Sequence, residues 1–526
     1  MFCLAVNAQE ELSYGFKYPQ DSARTKVWWF HGETIGTHEG ITTDLEAFKQ
    51  QGVGGVVYYD QVHGKGEGAF KVFSPEWWDE LIFSAQEAKR LGLSFECNAS
   101  NGYVAGGKWI TPDKSMLQLA NTELVVEGGK DLQFKMPMLR TRGNWHKDVA
   151  LIAIPYKEEL MKDSRSVFSK DSVVSLTDPT QHIYINIDFE QEFAARSITY
   201  VVRARSKART SSMQVPLNHF LHNQKTTQTN PKEFNGCGYR ILPPIGELQV
   251  SENGVDYRTI CLLRPKYQNL GGVKEQTIAF PTTKGRFFRI ALHNWGTTNK
   301  ADQNLTFGNV VLSSRAAVDA WQEKASLVSE IIEGDNTPAY TSADLTDFSH
   351  AIDLSSLMEE DGTVNWKKAP AGKWLVMRFF SMSNGGHTKH GRAEALGMEC
   401  DKLSVEGARL QWKSYVKPII DSIRAHNGFI SGICMDSHEA GPQNWTIGFE
   451  NEFKQLRGYC MKKYLPVLAG FVVGSKEESD KFLYDFRHTI NDLITERYFG
   501  EFNRLCQAEG LTLTAQAVGG ALCMAV

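Results

Sequence analysis

Asp436, His438 and Glu439 stand within four positions of one another in GICMDSHEAGPQNW, residues 432 to 445. A short apolar run ends there and polar chemistry begins. Two carboxylates beside an imidazole suit proton transfer. One carboxyl stays protonated to donate to a leaving oxygen, and a neighbouring negative charge raises its pKa by like-charge repulsion. Glu439 is the candidate acid and Asp436 the neighbour. Two plainer roles compete: Glu439 could cap the following turn or pair with a basic side chain, and His438 could be a hydrogen-bonded structural group.

Other chemistry-bearing residues follow short strand-like runs. His31 and Glu33 follow KVWWF, Asp60 and His63 follow VGGVVYYD, and Asn98 and Asn101 close LSFECNAS and its turn. Asp401 ends LGMECD and Gln516 lies in LTLTAQAV. In parallel α/β barrels the working groups sit where strands end and loops begin, so these residues are expected at one mouth. Carboxylates, amides and imidazoles bind hydroxyls, and aromatic faces cover the apolar faces of sugars. The expected substrate-binding set is therefore Trp29, His31, Glu33, Asp60, Asn98, Asn101, Asp436, His438 and Trp445. Trp28–Trp29 and Trp77–Trp78 mostly fit a core role, with one of each pair at the rim of the site as the alternative.

The elements that must position these groups alternate between strand and helix over residues 26 to 120. THEGITTDLEAFKQQG has Thr37 as N-cap, apolar residues at helical spacing (Ile41, Leu45, Phe48) and Gly52 as its stop. SPEWWDELIFSAQEAKRLG opens on a Ser-Pro cap pair and stops at Gly92. Strand–helix–strand units in series imply a parallel sheet with right-handed crossovers. From about residue 121 the period changes to strands and turns, and Glu252-Asn253-Gly254 marks a hairpin. After residue 396 the α/β rhythm returns, with a long helical stretch over 477 to 509. Parallel strands centred on Trp28, Val56, Phe95, Met398, Ile433 and Leu513 number six, where a closed barrel needs eight.

Hydrophobic residues make up 42% of the 526 and charged residues 22%, a profile expected of a soluble globular protein of several domains. The net charge of −4 argues against a nucleic-acid surface, and no apolar run is long enough to span a membrane. The nine cysteines are scattered without metal-ligand spacing and read as free thiols. FCLAV followed by Asn7-Ala8 resembles the end of a secretory leader cleaved after Ala8, with the true start upstream of Met1.

KVWWFHGETIGTHEGITTDLEAFKQQGVGGVVYYD, SPEWWDELIFSAQEAKRLGLSFECNASNGYVAGGKWI, GMECDKLS and DSHEAGPQNWTIGFENEFKQLRGY together resemble the α-L-rhamnosidases of glycoside hydrolase family 106. Residues 246 to 315 also resemble a discoidin (F5/8 type C) sandwich, through LQVSENGVDYRTI and TKGRFFRIAL. The family resemblance implies a secreted inverting enzyme, periplasmic or at the surface of a Gram-negative bacterium. It implies a calcium ion at the substrate site and a glycan containing rhamnose as substrate. It matches Glu439 to the general acid. It places the general base on a later strand, beyond residue 526, so the chain alone is expected to be inactive or nearly so.

The fold class expected is multidomain α/β plus all-β: a discontinuous (β/α)8 TIM-type barrel, incomplete in this chain and interrupted by β-sandwich insertions. Its expected divisions are a leader over 1–19, a first barrel segment over 20–120 and a first sandwich segment over 121–169. A discoidin-like sandwich over 170–318, a second sandwich segment over 319–382 and a second barrel segment over 383–526 complete the order. The alternative function is a non-catalytic carbohydrate-binding protein that uses the discoidin-like sandwich. Hydrolysis of another glycosidic linkage also remains open, because fold does not fix function.

Overall fold

The computed structural model describes residues 12–20, 23–62, 69–163, 173–176, 178, 181–204, 244–264, 275–293, 305–328, 337–436 and 441–516. The leader reading, at residues 1–8, lies outside them. The chain folds as two compact units. One comprises Met1–Met116, Ser383–Ala440 and Asp492–Leu522, the other Leu117–Met382, Gly441–Asn491 and Cys523–Val526. Residues 441–491, placed by sequence with the resumed α/β segment, thus belong to the β-rich unit.

The first unit is built on a five-stranded parallel sheet: β1 (Lys26–His31), β2 (Gly55–Asp60), β3 (Ser94–Asn98), β4 (Gly432–Met435) and β5 (Thr512–Ala515). Strand order follows chain order. The register aligns His31 with Asp60 and Tyr58 with Cys97, and Cys434 with Asn98. Their carboxyl ends therefore line up. Every residue of β2 is buried, as its continuous apolar run implies.

Helix His38–Gln50 starts where Thr37 accepts a hydrogen bond from the Gly40 N–H, and it buries Ile41 and Leu45. Helix Pro75–Leu91 starts at Ser74, whose hydroxyl accepts from the Trp77 N–H, and ends at a left-handed Gly92. Helix Val405–Gln411 passes through a π-turn at Trp412–Val416 into Lys417–Ala425. Pro418 explains the widened turn: it has no N–H to give, and its ring would clash with the carbonyl four residues back. A second π-turn, Ile494–Phe499, precedes helix Gly500–Ala508.

One expected parallel strand is absent. LGMECD forms a two-residue strand, Met398–Glu399, antiparallel to Gly106–Gly107 and outside the parallel sheet. The backbones approach so closely there that a Cβ on Gly106 would stand 2.3 Å from the Met398 carbonyl oxygen. Asp401 accordingly closes no parallel strand. It is buried, and one carboxylate oxygen accepts from the Leu403 N–H in a local turn.

In the second unit a six-stranded sheet runs in the order Arg258–Leu263, Gly246–Ser251, Gln276–Leu292, Ile183–Ala204, Leu305–Ser313 and Val173–Leu176. Ile198, Tyr200, Leu248, Phe288 and Phe307 are among its core. The hairpin forms at the expected Glu-Asn-Gly: Gly254 has φ +76°, and the Asn253 side chain accepts from the Val255 and Asp256 N–H groups. A separate four-stranded sheet joins strands from both sides of this segment in the chain, Leu117–Glu127 and Lys147–Pro155 with Ile352–Asp353 and Lys373–Ser383. The described Cys97, Cys261, Cys400, Cys434, Cys460 and Cys506 are free thiols. Among the described residues no helix is long and apolar enough to cross a membrane.

Burial pushes the Glu323 carboxyl in the second unit up to about 7, from an ordinary 4.5, despite the nearby Arg264. The folded chain therefore holds a proton that the unfolded chain releases between these two values. Stability is expected to fall as pH rises through that window. Glu323→Gln should flatten that portion of the profile in thermal melts from about pH 4.5 to pH 7.5. An identical slope in both proteins would show that Glu323 does not control it.

Candidate active site

The carboxyl ends of β1, β2 and β3 bring their polar residues into one buried network. His31, 8% exposed, follows Phe30 at the end of β1. Its Nδ1–H donates to Glu80 Oε1 at 2.6 Å, and its ring stacks on Tyr58 at 4.1 Å. Glu80, on the helix after β2, also accepts from the Tyr58 hydroxyl and the Gly36 N–H, which fixes the imidazole's orientation. Nε2 of His31 has no hydrogen-bond partner among the described residues.

Asp60 ends β2 and is 1% exposed. Its Oδ2 accepts from Trp77 Nε1 at 2.8 Å and Asn101 Nδ2 at 2.6 Å, and its Oδ1 accepts from Arg392 Nε at 2.8 Å. Burial raises its pKa, and the Arg392 guanidinium pulls the other way. Three N–H donors satisfy the buried charge. Asn98 donates to the Gly102 carbonyl at 2.5 Å, while its own side-chain oxygen has no partner among the described residues. Gln61 Nε2 donates to Asp436 Oδ2 at 2.9 Å, which ties the end of β2 to the residue after β4.

Both π-turns bring a tyrosine to this region. Tyr415 is hydrogen-bonded to the Asn101 side chain, and burial holds its hydroxyl well above the ordinary range. Tyr498 lines a small space together with Ser100, Tyr103, Lys402 and Asp436. Lys402 is ion-paired with the buried Glu399, whose pKa burial raises.

Of the residues expected from sequence, His31, Asp60, Asn98, Asn101 and Asp436 fall in this region. Glu33 is half-buried in the loop after β1. His438 and Glu439 lie outside the described residues. The two expected tryptophans are both buried, and Trp29 lies edge-on to His31 with ring centroids 4.3 Å apart. Trp29 is 7% exposed, with its indole N–H on Asp44. Trp445 is 1% exposed in the second unit, stacked on Phe449 at 4.8 Å. Trp445→Phe is expected to cost stability in the ordinary core range, roughly 0.5–3 kcal/mol, with no change in KM for a glycoside. A raised KM at unchanged stability would return Trp445 to the sugar surface.

Sequence reading missed Arg392, Glu80 and Gln61, and read Trp77 as core or rim without linking it to Asp60. Gln61 directly follows a strand end and was within reach. Arg392 sits on a loop far along the chain, held by the Val62 N–H on the His390 carbonyl and by the Arg392 N–H on Asn101 Oδ1. Gly102, with φ +83°, lets that loop approach: a Cβ there would stand 2.2 Å from the Lys389 carbonyl oxygen. In the second unit a cavity of about 880 Å³ is lined in part by Lys157, Phe348, Asp353, Lys462 and Lys463. It contains none of the expected residues, and its Lys462 and Lys463 are held by Asp353 and Glu478.

Among the described residues no group of three or more His, Cys, Asp or Glu side chains is placed to hold a metal ion; calcium also takes backbone and amide oxygens. Asp60, a buried carboxylate of the cluster, is occupied by three N–H donors, one of them cationic.

Known proteins resemble the chain over nearly its whole length. A Formosa agariphila protein named as a candidate β-glucuronidase is 25% identical over 518 residues, 97% of this chain and 31% of that protein. A rhamnosidase from Novosphingobium sp. PP1Y shares the fold, with a TM-score of 0.74 at 24% identity over 96% of this chain and 47% of its own. The chain thus spans about a third of the curated relative and about half of the solved rhamnosidase. The model of the α-L-rhamnosidase family, glycoside hydrolase family 106, matches residues 17–525. With that match over nearly its whole length, the chain belongs to this family of glycoside hydrolases.

Proposed function

We propose that the protein hydrolyses α-L-rhamnosidic bonds in rhamnose-containing oligo- or polysaccharides of the pectin type, with inversion. Family membership supports the reaction class. The observation that carries the reading is the strand-end network, with unpaired Asn98 Oδ1, His31 Nε2 and Arg392 Nη atoms in one buried cluster. A sugar hydroxyl both donates and accepts, so it can satisfy each of these groups. A ligand that bonds these groups recovers the cost of leaving buried polar atoms without partners.

In this proposal Glu439, three residues beyond Asp436, protonates the leaving oxygen as the bond to the anomeric carbon breaks. A water on the opposite face attacks that carbon, and a second carboxylate takes its proton. Inversion needs roughly 6.5–9.5 Å between the two carboxyls. Asp60, Glu80 and Glu96 are poor candidates for that base. Asp60 accepts three hydrogen bonds, Glu80 accepts from His31 and Tyr58, and Glu96 is ion-paired with Lys26. Following the family resemblance, the proposal places the base outside these 526 residues, on a further strand of a discontinuous barrel that carries the β-rich insertions. No step is routed through calcium. Secretion to the periplasm or cell surface belongs to the same proposal.

The name of the Formosa relative raises β-D-glucuronides as competing substrates. The site's charge disfavours them: the Arg392 cation is already neutralised by Asp60. Comparing 4-nitrophenyl α-L-rhamnoside with 4-nitrophenyl β-D-glucuronide tests the reading. The assay uses both the 526-residue chain and the longest natural reading frame containing it. The expectation is rhamnoside turnover by the longer protein and little or none by the shorter. Full activity in the 526-residue chain would put the base among its own carboxylates.

A further inference from the structure

Arg392 is locked in place yet only partly used. Its backbone N–H donates to Asn101 Oδ1 at 2.7 Å and its Nε to Asp60 Oδ1 at 2.8 Å. The side chain is 5% exposed. Nevertheless both Nη1 and Nη2 lack a partner among the described residues. A guanidinium that served only as the counter-ion of Asp60 would normally satisfy its remaining donors with backbone carbonyls or a second carboxylate. Here its orientation is fixed from one edge, by groups that are themselves fixed: Trp77 holds the Asp60 carboxylate, and Tyr415 is hydrogen-bonded to the Asn101 side chain. The other edge carries two buried donors that no described residue satisfies.

Two acceptor chemistries match such a fork: a carboxylate or sulfate, and the adjacent hydroxyl oxygens of a sugar. Charge decides between them. The Arg392 cation is already matched by Asp60 in direct contact. Asp436 is tied to the same strand end through Gln61. An anionic ligand would set a second negative charge against one buried cation, whereas a neutral diol adds none. The nearby unpaired Asn98 Oδ1 is an acceptor, which suits a hydroxyl and repels a carboxylate.

We infer that Arg392 is a specificity-determining residue that reads a neutral vicinal diol of the bound sugar through Nη1 and Nη2, an assignment that rests on the proposed rhamnoside reading of this cluster. Arg392→Lys tests it, because lysine keeps the charge beside Asp60 but has no fork. The longest natural reading frame is used, with L-rhamnose and D-glucuronate as calorimetric probes and an α-L-rhamnoside for kinetics. The variant is expected to melt within a few degrees of the wild type. It should bind L-rhamnose about 10- to 100-fold more weakly, the equivalent of one charge-assisted hydrogen bond, and show the loss mainly in KM.

Unchanged rhamnose affinity and KM in Arg392→Lys, with an active wild type, would make Arg392 a structural counter-ion and overturn this inference alone. Glucuronate binding more tightly than rhamnose to the wild type, and losing that advantage in the variant, would make the fork an anion reader and overturn it too. A wild type that neither binds nor cleaves rhamnosides would overturn the proposed function together with the inference.

Discussion

In the longest natural reading frame, Glu439→Gln is expected to slow hydrolysis of rhamnosides that carry a sugar or alkyl leaving group by about 10²–10⁴-fold, the usual contribution of a general acid. Binding should survive, because glutamine keeps the shape of the side chain and loses only its acidic proton. The choice of substrate sharpens the result. A 4-nitrophenolate departs without protonation, so its rhamnoside should lose far less rate than an alkyl rhamnoside. An equal loss on both substrates would point to a role in folding or binding. No loss on either would remove Glu439 from the mechanism.

Asp60→Ala should have the largest effect on stability. It strands a guanidinium that is 5% exposed and removes the acceptor of Trp77 and Asn101 at once. Removing one partner of a buried ion pair costs about 3–5 kcal/mol. The double variant Asp60→Ala/Arg392→Met should recover much of that cost, because no charge is left unpaired. Urea unfolding of the wild type, both single variants and the double variant gives the coupling directly. Additive losses would mean that the pair contributes nothing beyond its separate contacts. The double variant should still fail to bind sugar if the Arg392 fork reads it.

What the sequence discloses about this fold is mostly local. Thr37 and Ser74 announce helix starts because a side-chain oxygen must reach an N–H only a few residues away. Gly92 and Gly254 announce reversals because few other residues adopt positive φ cheaply. The residues at the ends of β1, β2 and β3 are legible for a related reason: a parallel sheet in strand order places successive strand ends side by side.

Nonlocal features are not legible in this way. LGMECD has the composition of a strand, but its partner is the glycine pair Gly106–Gly107, and nothing in either stretch names the other. Arg392 reaches Asp60 across 332 positions of chain. It shows in the sequence only as one basic residue in a glycine-containing loop. Trp445 misled for the opposite reason. Proximity in sequence to Asp436 suggested a sugar platform, whereas the ring packs on Phe449.

Time-resolved proton NMR of an unactivated α-L-rhamnoside, cleaved by the longest natural reading frame that contains these residues, bears most directly on the proposal. The expected result is free L-rhamnose appearing first as the β-anomer and then mutarotating, the mark of a single displacement by water. The α-anomer appearing first would contradict inversion. A β-D-glucuronide cleaved while every rhamnoside stays intact would contradict the substrate itself.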